Sequence, residues 1–235
     1  MKVLILPDIH GKLSLLIQVI ETYPDHKYVF LGDLIDRGSE SAEVLALVQT
    51  LYEQGRVLAI CRGNHEDMAY EGLLDGDRDA FDCWIENGGV TTLMSYSDIG
   101  MAALREDLEW LRVNSVPFYR LKREGALDIM CVHASNPSAE LLAGENEDAT
   151  WWRRDHLWTF QPEIGTPLPE GCGVSVHGHR IQKFAQFDGA QRAVYLDLGS
   201  FMTGRYAVLD ADTTIFTKEW EMEIVEITAT KALAV

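Results

Sequence analysis

Polar residues able to bind metals or move protons stand at the carboxyl ends of short apolar runs. Residues 3–6 lead to Asp8 and His10, and residues 28–31 lead to Asp33 and Asp36 within Gly32-Asp33-Leu34-Ile35-Asp36-Arg37-Gly38. Residues 57–61 lead to Asn64 and His65, the run ending at Val132 leads to His133, and the run ending at Val176 leads to His177 and His179. Carboxylates beside a core strand need a metal ion or a guanidinium, or their burial costs free energy. In open sheets with parallel strands, ligands gather outside the carboxyl ends, so these distant residues can converge. Their number exceeds what one divalent ion requires and suits two, bridged by a shared carboxylate at about 3.5–4 Å separation. Acid, amide and imidazole without thiolate favour manganese, iron or zinc over a structural zinc site. Each residue also has an ordinary explanation: His133 as a satisfied core histidine, Asn64 as a turn residue, Asp8 as a helix cap. One metal centre replaces a separate coincidence at every strand end.

The elements that must hold these residues follow from hydropathy. Residues 3–6 read as a buried strand, with Leu13, Leu16, Ile17 and Ile20 behind it at helical spacing. After the second strand comes a helix with Val44, Leu45, Leu47, Val48 and Leu51 on its buried face, Ser39 or Ser41 as its cap and Gly55 as its stop. Two successive strand–helix–strand units imply right-handed crossovers and a largely parallel sheet core. Residues 67–112 read as helical, with Trp84 on a helix ending at Asn87-Gly88-Gly89 and Leu104, Leu108 and Leu111 on another. This block is either a cap-like insertion beside the site or plain helical packing. Strands are expected at 118–122, 127–132, 174–176, 193–196, 206–209 and 214–223, with a frayed tail after Ile227. Residues 136–173, with Pro137, Pro162, Pro167 and Pro169, read as a long loop region of a length that is often functional. No repeat or linker divides the chain, so one domain is expected over 1–235.

Composition narrows the function. The 235 residues can bury a substantial core, and a 47% hydrophobic share is ordinary for a soluble globular protein. A formal charge of −17 opposes general binding to a phosphate backbone, though not one phosphorylated substrate at a locally positive pocket. No apolar stretch is long enough to span a bilayer, and the early acid Asp8 argues against a signal peptide. Cys61, Cys83, Cys131 and Cys172 are scattered without a C-x-x-C pair, which reads as free thiols in a reducing cytoplasm.

Asp8-Ile9-His10, Gly32-Asp33-Leu34-Ile35-Asp36-Arg37-Gly38, Gly63-Asn64-His65-Glu66, His133 and Gly178-His179 match, in order, the motifs of the calcineurin-like metallophosphoesterases. The intact Asp-Arg-Gly and Gly-Asn-His-Glu forms resemble the phosphoprotein phosphatase branch. Within it the chain is most similar to small bacterial and bacteriophage serine/threonine phosphatases and to symmetrical diadenosine tetraphosphate hydrolases. Trp84 with Asn87-Gly88-Gly89, Trp151-Trp152-Arg153 and Leu196-Asp197-Leu198-Gly199-Ser200 also resemble stretches of that branch, so the likeness runs to about Tyr206.

The resemblance implies an α/β (α+β) four-layer fold, two mixed β-sheets in a sandwich flanked by helices. It implies Asp8, His10 and Asp33 as ligands of a first divalent ion, with Asp33 bridging to a second completed by Asn64, His133 and His179. Manganese is the expected metal, with iron or zinc as alternatives. His177 is not a ligand in the family and belongs behind the ligands or in the core. The implied chemistry is in-line attack on phosphorus by a metal-bound water without a phosphoenzyme. His65 would protonate the leaving group, Asp36 would orient it, and Arg37 with Asn64 would hold the phosphate. The eukaryotic enzymes carry a further arginine shortly after Gly-Asn-His-Glu; here Asp67-Met68-Ala69-Tyr70 follows, which directs attention to Arg153 as a second clamp and, less so, to Arg62. The expected function is a phosphomonoesterase acting on phosphoserine and phosphothreonine in proteins. The alternative is hydrolysis of a dinucleoside polyphosphate or an RNA cap, using Trp84, Trp151 and Trp152 with Arg153 and Arg154. A catalytically dead binding subunit would have lost ligands or His65, and all are present.

Overall fold

The computed structural model describes residues 1–136, 168–190, 192–212 and 224–228. The first half alternates strand and helix: β1 (Val3–Leu6), α1 (Leu13–Thr22), β2 (Lys27–Phe30), α2 (Ser41–Glu53) and β3 (Val57–Ile60). α3 (Asn64–Ala69), α4 (Arg78–Trp84), α5 (Val90–Ser95) and α6 (Met101–Asn114) follow, with π-helical turns at Tyr70–Leu74 and Ile85–Gly89. The second half is strand-rich, with β4 (Phe118–Leu121), β5 (Asp128–Val132), β6 (Cys172–His177), β7 (Gln186–Asp188) and β8 (Ala193–Tyr195). A short α7 (Ser200–Thr203) precedes β9 (Arg205–Asp210) and β10 (Ile224–Thr228).

Among the described residues the strands form two five-stranded sheets, ordered β10-β9-β1-β2-β3 and β4-β5-β6-β8-β7. Each is mixed. β1, β2 and β3 run parallel, β9 lies antiparallel beside β1, and β10 pairs antiparallel with β9 at the edge. β5, β6 and β8 run parallel between antiparallel β4 and β7. This is the expected sandwich of two mixed sheets flanked by helices.

Strand alternation explains the layers. Val3 and Ile5 of β1, with Val29 and Ala59, face Ile129, Cys131, Val174, Val176 and Val194 across the sandwich. Leu4, Leu6, Tyr28 and Phe30 point the other way, into a core shared with Leu15, Val44, Val48, Trp84, Leu104 and Leu108 of the helices. A strand buried on both faces reads as a continuous apolar run, which is why β1 to β3 are legible without alternation of polar residues.

One expectation changes. Ser41 opens α2, but its hydroxyl makes no cap hydrogen bond and instead accepts from the Asp36 amide at 3.1 Å. The chain after 212 holds a strand at Ile224–Thr228, paired with β9 through Arg205; the rest of the tail expected to fray after Ile227 lies outside the described residues. The strand expected over 214–223 lies wholly outside the described residues.

Candidate metal centre

Parallel strands of both sheets end on one side of the sandwich, and the turns after them carry the polar residues into one cluster. The backbone there is unusual. His10, Asp33, Asp36, Arg37 and His179 all have left-handed conformations, at φ of 47°, 51°, 71°, 65° and 59°. That region costs an L-residue roughly 1–2 kcal/mol, so its concentration here marks turns held by their surroundings. Glu66 supplies one restraint: its buried carboxylate accepts from the amides of Asp33 at 2.8 Å, Leu34 at 2.7 Å and Gly63 at 2.9 Å. It thereby ties the loop after β2 to the loop after β3. Gly63 and Gly178 supply close approach, because a Cβ on either would lie 2.1 Å from a carboxylate oxygen of Asp33 or Asp8 respectively.

Asp33 stands at the centre. Its Oδ2 lies 3.6 Å from His10 Nε2, 3.5 Å from His133 Nε2 and 4.0 Å from His65 Nε2. Donor atoms of His10, Asp33 and His65 fall within 4.8 Å of one another, as do those of Asp33, His133 and His179, so the two groups share Asp33. His10 Nδ1 donates to Ile35 O at 2.9 Å and His133 Nδ1 to Leu31 O at 2.9 Å, which leaves each Nε2 lone pair facing inward. His133 Nε2 and His179 Nδ1 converge on Asn64 Oδ1 at 3.0 and 2.8 Å. The His133 nitrogen and the Asn64 oxygen are both acceptors, an arrangement that a cation satisfies. Asp8 joins from the other side, its carboxylate taking the His179 amide at 3.0 and 3.1 Å.

His65 differs from His10 and His133 in that its Nδ1 meets a carboxylate and not a backbone carbonyl. Its Nδ1 lies 2.7 Å from Asp36 Oδ2, while its Nε2 is buried and has no hydrogen-bond partner among the described residues. Arg37 lies beside it, with Nη1 3.1 Å from His10 Nε2 and its guanidinium 4.7 Å from the Phe201 ring centre.

The calcineurin-like phosphoesterase family profile matches residues 1–195. The chain belongs to the calcineurin-like phosphoesterases. It is 28% identical over 211 residues to serine/threonine-protein phosphatase 2 of Escherichia coli (strain K12), covering 84% of this chain and 87% of that protein. The Salmonella typhimurium protein of the same name is 29% identical over 205 residues with the same coverage. A solved serine/threonine phosphatase from Saccharomyces cerevisiae shares the fold at a TM-score of 0.63 and 14% identity, over 98% of this chain and 81% of that one. A putative diadenosine tetraphosphatase does so at 0.61 and 17%, over 98% and 95%.

Electrostatics fit a phosphoesterase centre built for cations. Burial, reinforced by the neighbouring acids, raises the Asp8 and Asp33 carboxyls well above the usual range. Burial also lowers His10, His65 and His133 well below the ordinary imidazole value, and His177 and His179 to about 4. Neutral imidazoles are the ligand form, and acids crowded together without counter-charge are stabilised by a divalent ion. The two donor groups in this fold make the phosphoesterase a metal-dependent hydrolase that takes two divalent ions.

The remaining expectations divide cleanly. His177 points away: Nδ1 bonds Ala134 O at 2.8 Å, Nε2 meets Ser175 Oγ at 2.7 Å, and the ring stacks on Tyr195. Arg62 turns toward Ser115 and Asp67, at 3.4 and 3.7 Å. Arg153, with Trp151, Trp152 and Arg154, lies outside the described residues. Glu66, Thr92 and Phe201 also stand at the site, with no role expected for them from the sequence. Glu66 had a local signal as the acid at the third position of α3, whereas Thr92 and Phe201 reach the site only through packing.

Proposed function

We propose that this phosphoesterase hydrolyses phosphate monoesters of serine and threonine in proteins. The observation that carries the reading is the Asp36–His65 pair, buried and hydrogen-bonded at 2.7 Å, with an uncommitted His65 Nε2 beside Asp33. A serine or threonine alkoxide is a poor leaving group and needs a proton as the P–O bond breaks, while an aryl or phosphate leaving group needs it less. The relatives named serine/threonine-protein phosphatase 2 support the same substrate class.

In this reading Asp8, His10 and Asp33 would hold one ion, and Asp33, Asn64, His133 and His179 would hold the other. Bound divalent ions supply a nucleophilic water and neutralise phosphoryl charge, and manganese suits the oxygen and imidazole donors. Arg37 presents its fork of donors to the phosphoryl oxygens. In its doubly protonated form His65 would give its Nε2 proton to the departing oxygen and be left neutral with Nδ1–H on Asp36, whose carboxylate at 2.7 Å stabilises the charged ring against the burial that disfavours it. We read the helices over 67–112 as a cap on the single domain, and Arg153 as a second phosphate clamp. Four free cysteines support a reducing, cytoplasmic setting.

The test is a substrate panel with the manganese-loaded protein: a phosphoserine/phosphothreonine peptide, a phosphotyrosine peptide, diadenosine tetraphosphate and an aryl phosphate. The phosphoserine/phosphothreonine peptide should give the highest kcat/KM among the biological substrates. A preference for diadenosine tetraphosphate above tenfold, about 1.4 kcal/mol, overturns the proposal in favour of a dinucleoside polyphosphate hydrolase.

A further inference from the structure

Asp36 is held by more than His65, and the helices between β3 and β4 do the holding. Its amide donates to Thr92 Oγ1 at 2.9 Å, and the Thr92 hydroxyl donates back to Asp36 Oδ1 at 2.6 Å. One threonine therefore grips both the backbone and the carboxylate of the same residue. Trp84 Nε1 reaches Oδ1 at 3.1 Å and Oδ2 at 2.9 Å, sharing Oδ2 with His65. Asp36, Trp84 and Thr92 are all fully buried. An indole N–H can only donate, so the neighbours of this carboxylate match its ionised form. Burial raises Asp36 to about 7, and the Thr92 and Trp84 hydrogen bonds act against that rise.

The segment from Trp84 to Thr92 packs as one piece against the loop after β2. Gly88, at φ +112°, presents its carbonyl to the Arg37 amide at 3.4 Å. A Cβ on Gly89 would lie 2.6 Å from the indole of Trp84, so the turn also fixes where that ring sits.

We infer that Trp84 and Thr92 are positioning residues of the hydrolysis, aiming the Asp36 carboxylate so that His65 keeps Nδ1–H toward Asp36 and Nε2 toward the leaving group. The inference rests on His65 being the acid proposed above. Neither residue touches the reacting atoms. Their effect falls on the step in which the proton leaves His65 Nε2 for the departing oxygen as the P–O electron pair moves onto that oxygen.

The experiment compares wild type, Trp84→Phe, Thr92→Val, Thr92→Ser and His65→Asn across phosphate esters of increasing leaving-group basicity. Metal content and the ring-proton NMR signal of His65 in the metal-free protein are followed alongside. Trp84→Phe and Thr92→Val should lower kcat on alkyl phosphates by about tenfold or more, steepen the leaving-group dependence and leave KM within about twofold. They should keep two ions and shift the hydrogen-bonded Nδ1 proton, and Thr92→Ser should restore the shallow dependence. A loss uniform across the esters, or an unshifted Nδ1 proton, overturns the inference. If His65→Asn steepens the dependence while Trp84→Phe and Thr92→Val do not, the inference falls and the acid role stands. If His65→Asn leaves the dependence flat, both fall.

Discussion

Asp33 faces His10, His65 and His133 within 4.0 Å through one carboxylate oxygen, so it is the residue whose loss should empty the centre. Asp33→Asn is expected to reduce bound metal well below two ions per chain in elemental analysis; full occupancy would remove its bridging role. Asp8→Asn should cost one ion and His65→Asn none, although His65 lies close enough to His10 and Asp33 to bind. The second expectation follows from the proposal that His65 is the acid and not a ligand; loss of an ion in His65→Asn would make it a ligand instead. With the acid gone, His65→Asn should lose about 10²–10⁴ in rate on alkyl phosphates. Asp67 offers a separate residue-scale test. Burial lifts its carboxyl to about 8, outweighing Arg62 at 3.7 Å, which is beyond hydrogen-bond reach. In the unfolded chain the group titrates near the usual carboxylate value, about 3.9. Between those values the folded state binds more protons, so Asp67 lowers stability as pH rises toward 8. Denaturant titrations of Asp67→Asn should show a flatter dependence over about pH 4–8 than wild type; an equal slope would mean that Asp67 ionises normally in the folded protein.

The turns between elements hold the ligands as much as the elements do. Glu66 joins two of these turns through three amides, and Gly63 and Gly178 leave room for the Asp33 and Asp8 carboxylates. Gly178→Ala should weaken metal binding by about 10–100-fold in competition with a chelator while the fold persists. Unchanged affinity would show that Asp8 can move aside freely. Such turns were only partly legible in the sequence. β1, β2 and β3 stood out because each is an apolar run with a polar cluster at its carboxyl end. β7, three residues with Gln186 exposed, and α7, four residues, are too short to carry a period. Ser41 looked like a helix cap because hydroxyls at helix starts usually are; its partner is the Asp36 amide, reached through a turn with positive φ at Asp36 and Arg37. Trp84 and Thr92 lie 48 and 56 residues from Asp36, a separation that no local pattern encodes.

At the scale of the whole molecule, a chain of charge −17 gathers buried acids at one end of its sandwich, so a bound cation should stabilise the fold. Adding manganese to the chelator-treated protein should raise its Tm in a concentration-dependent way, by about 2.7 kcal/mol of stability at a hundredfold excess over Kd. A Tm indifferent to metal would place no ion in this cluster. None of the described helices is long and apolar enough to cross a membrane. The hydrogen bond from the His179 amide to Asp8 joins residues 171 positions apart. During synthesis Asp8, His10, Asp33, Asn64 and His133 therefore all emerge before the segment that closes the centre. The donor group of Asp33, His133 and His179 can be complete only once the chain has been made past His179.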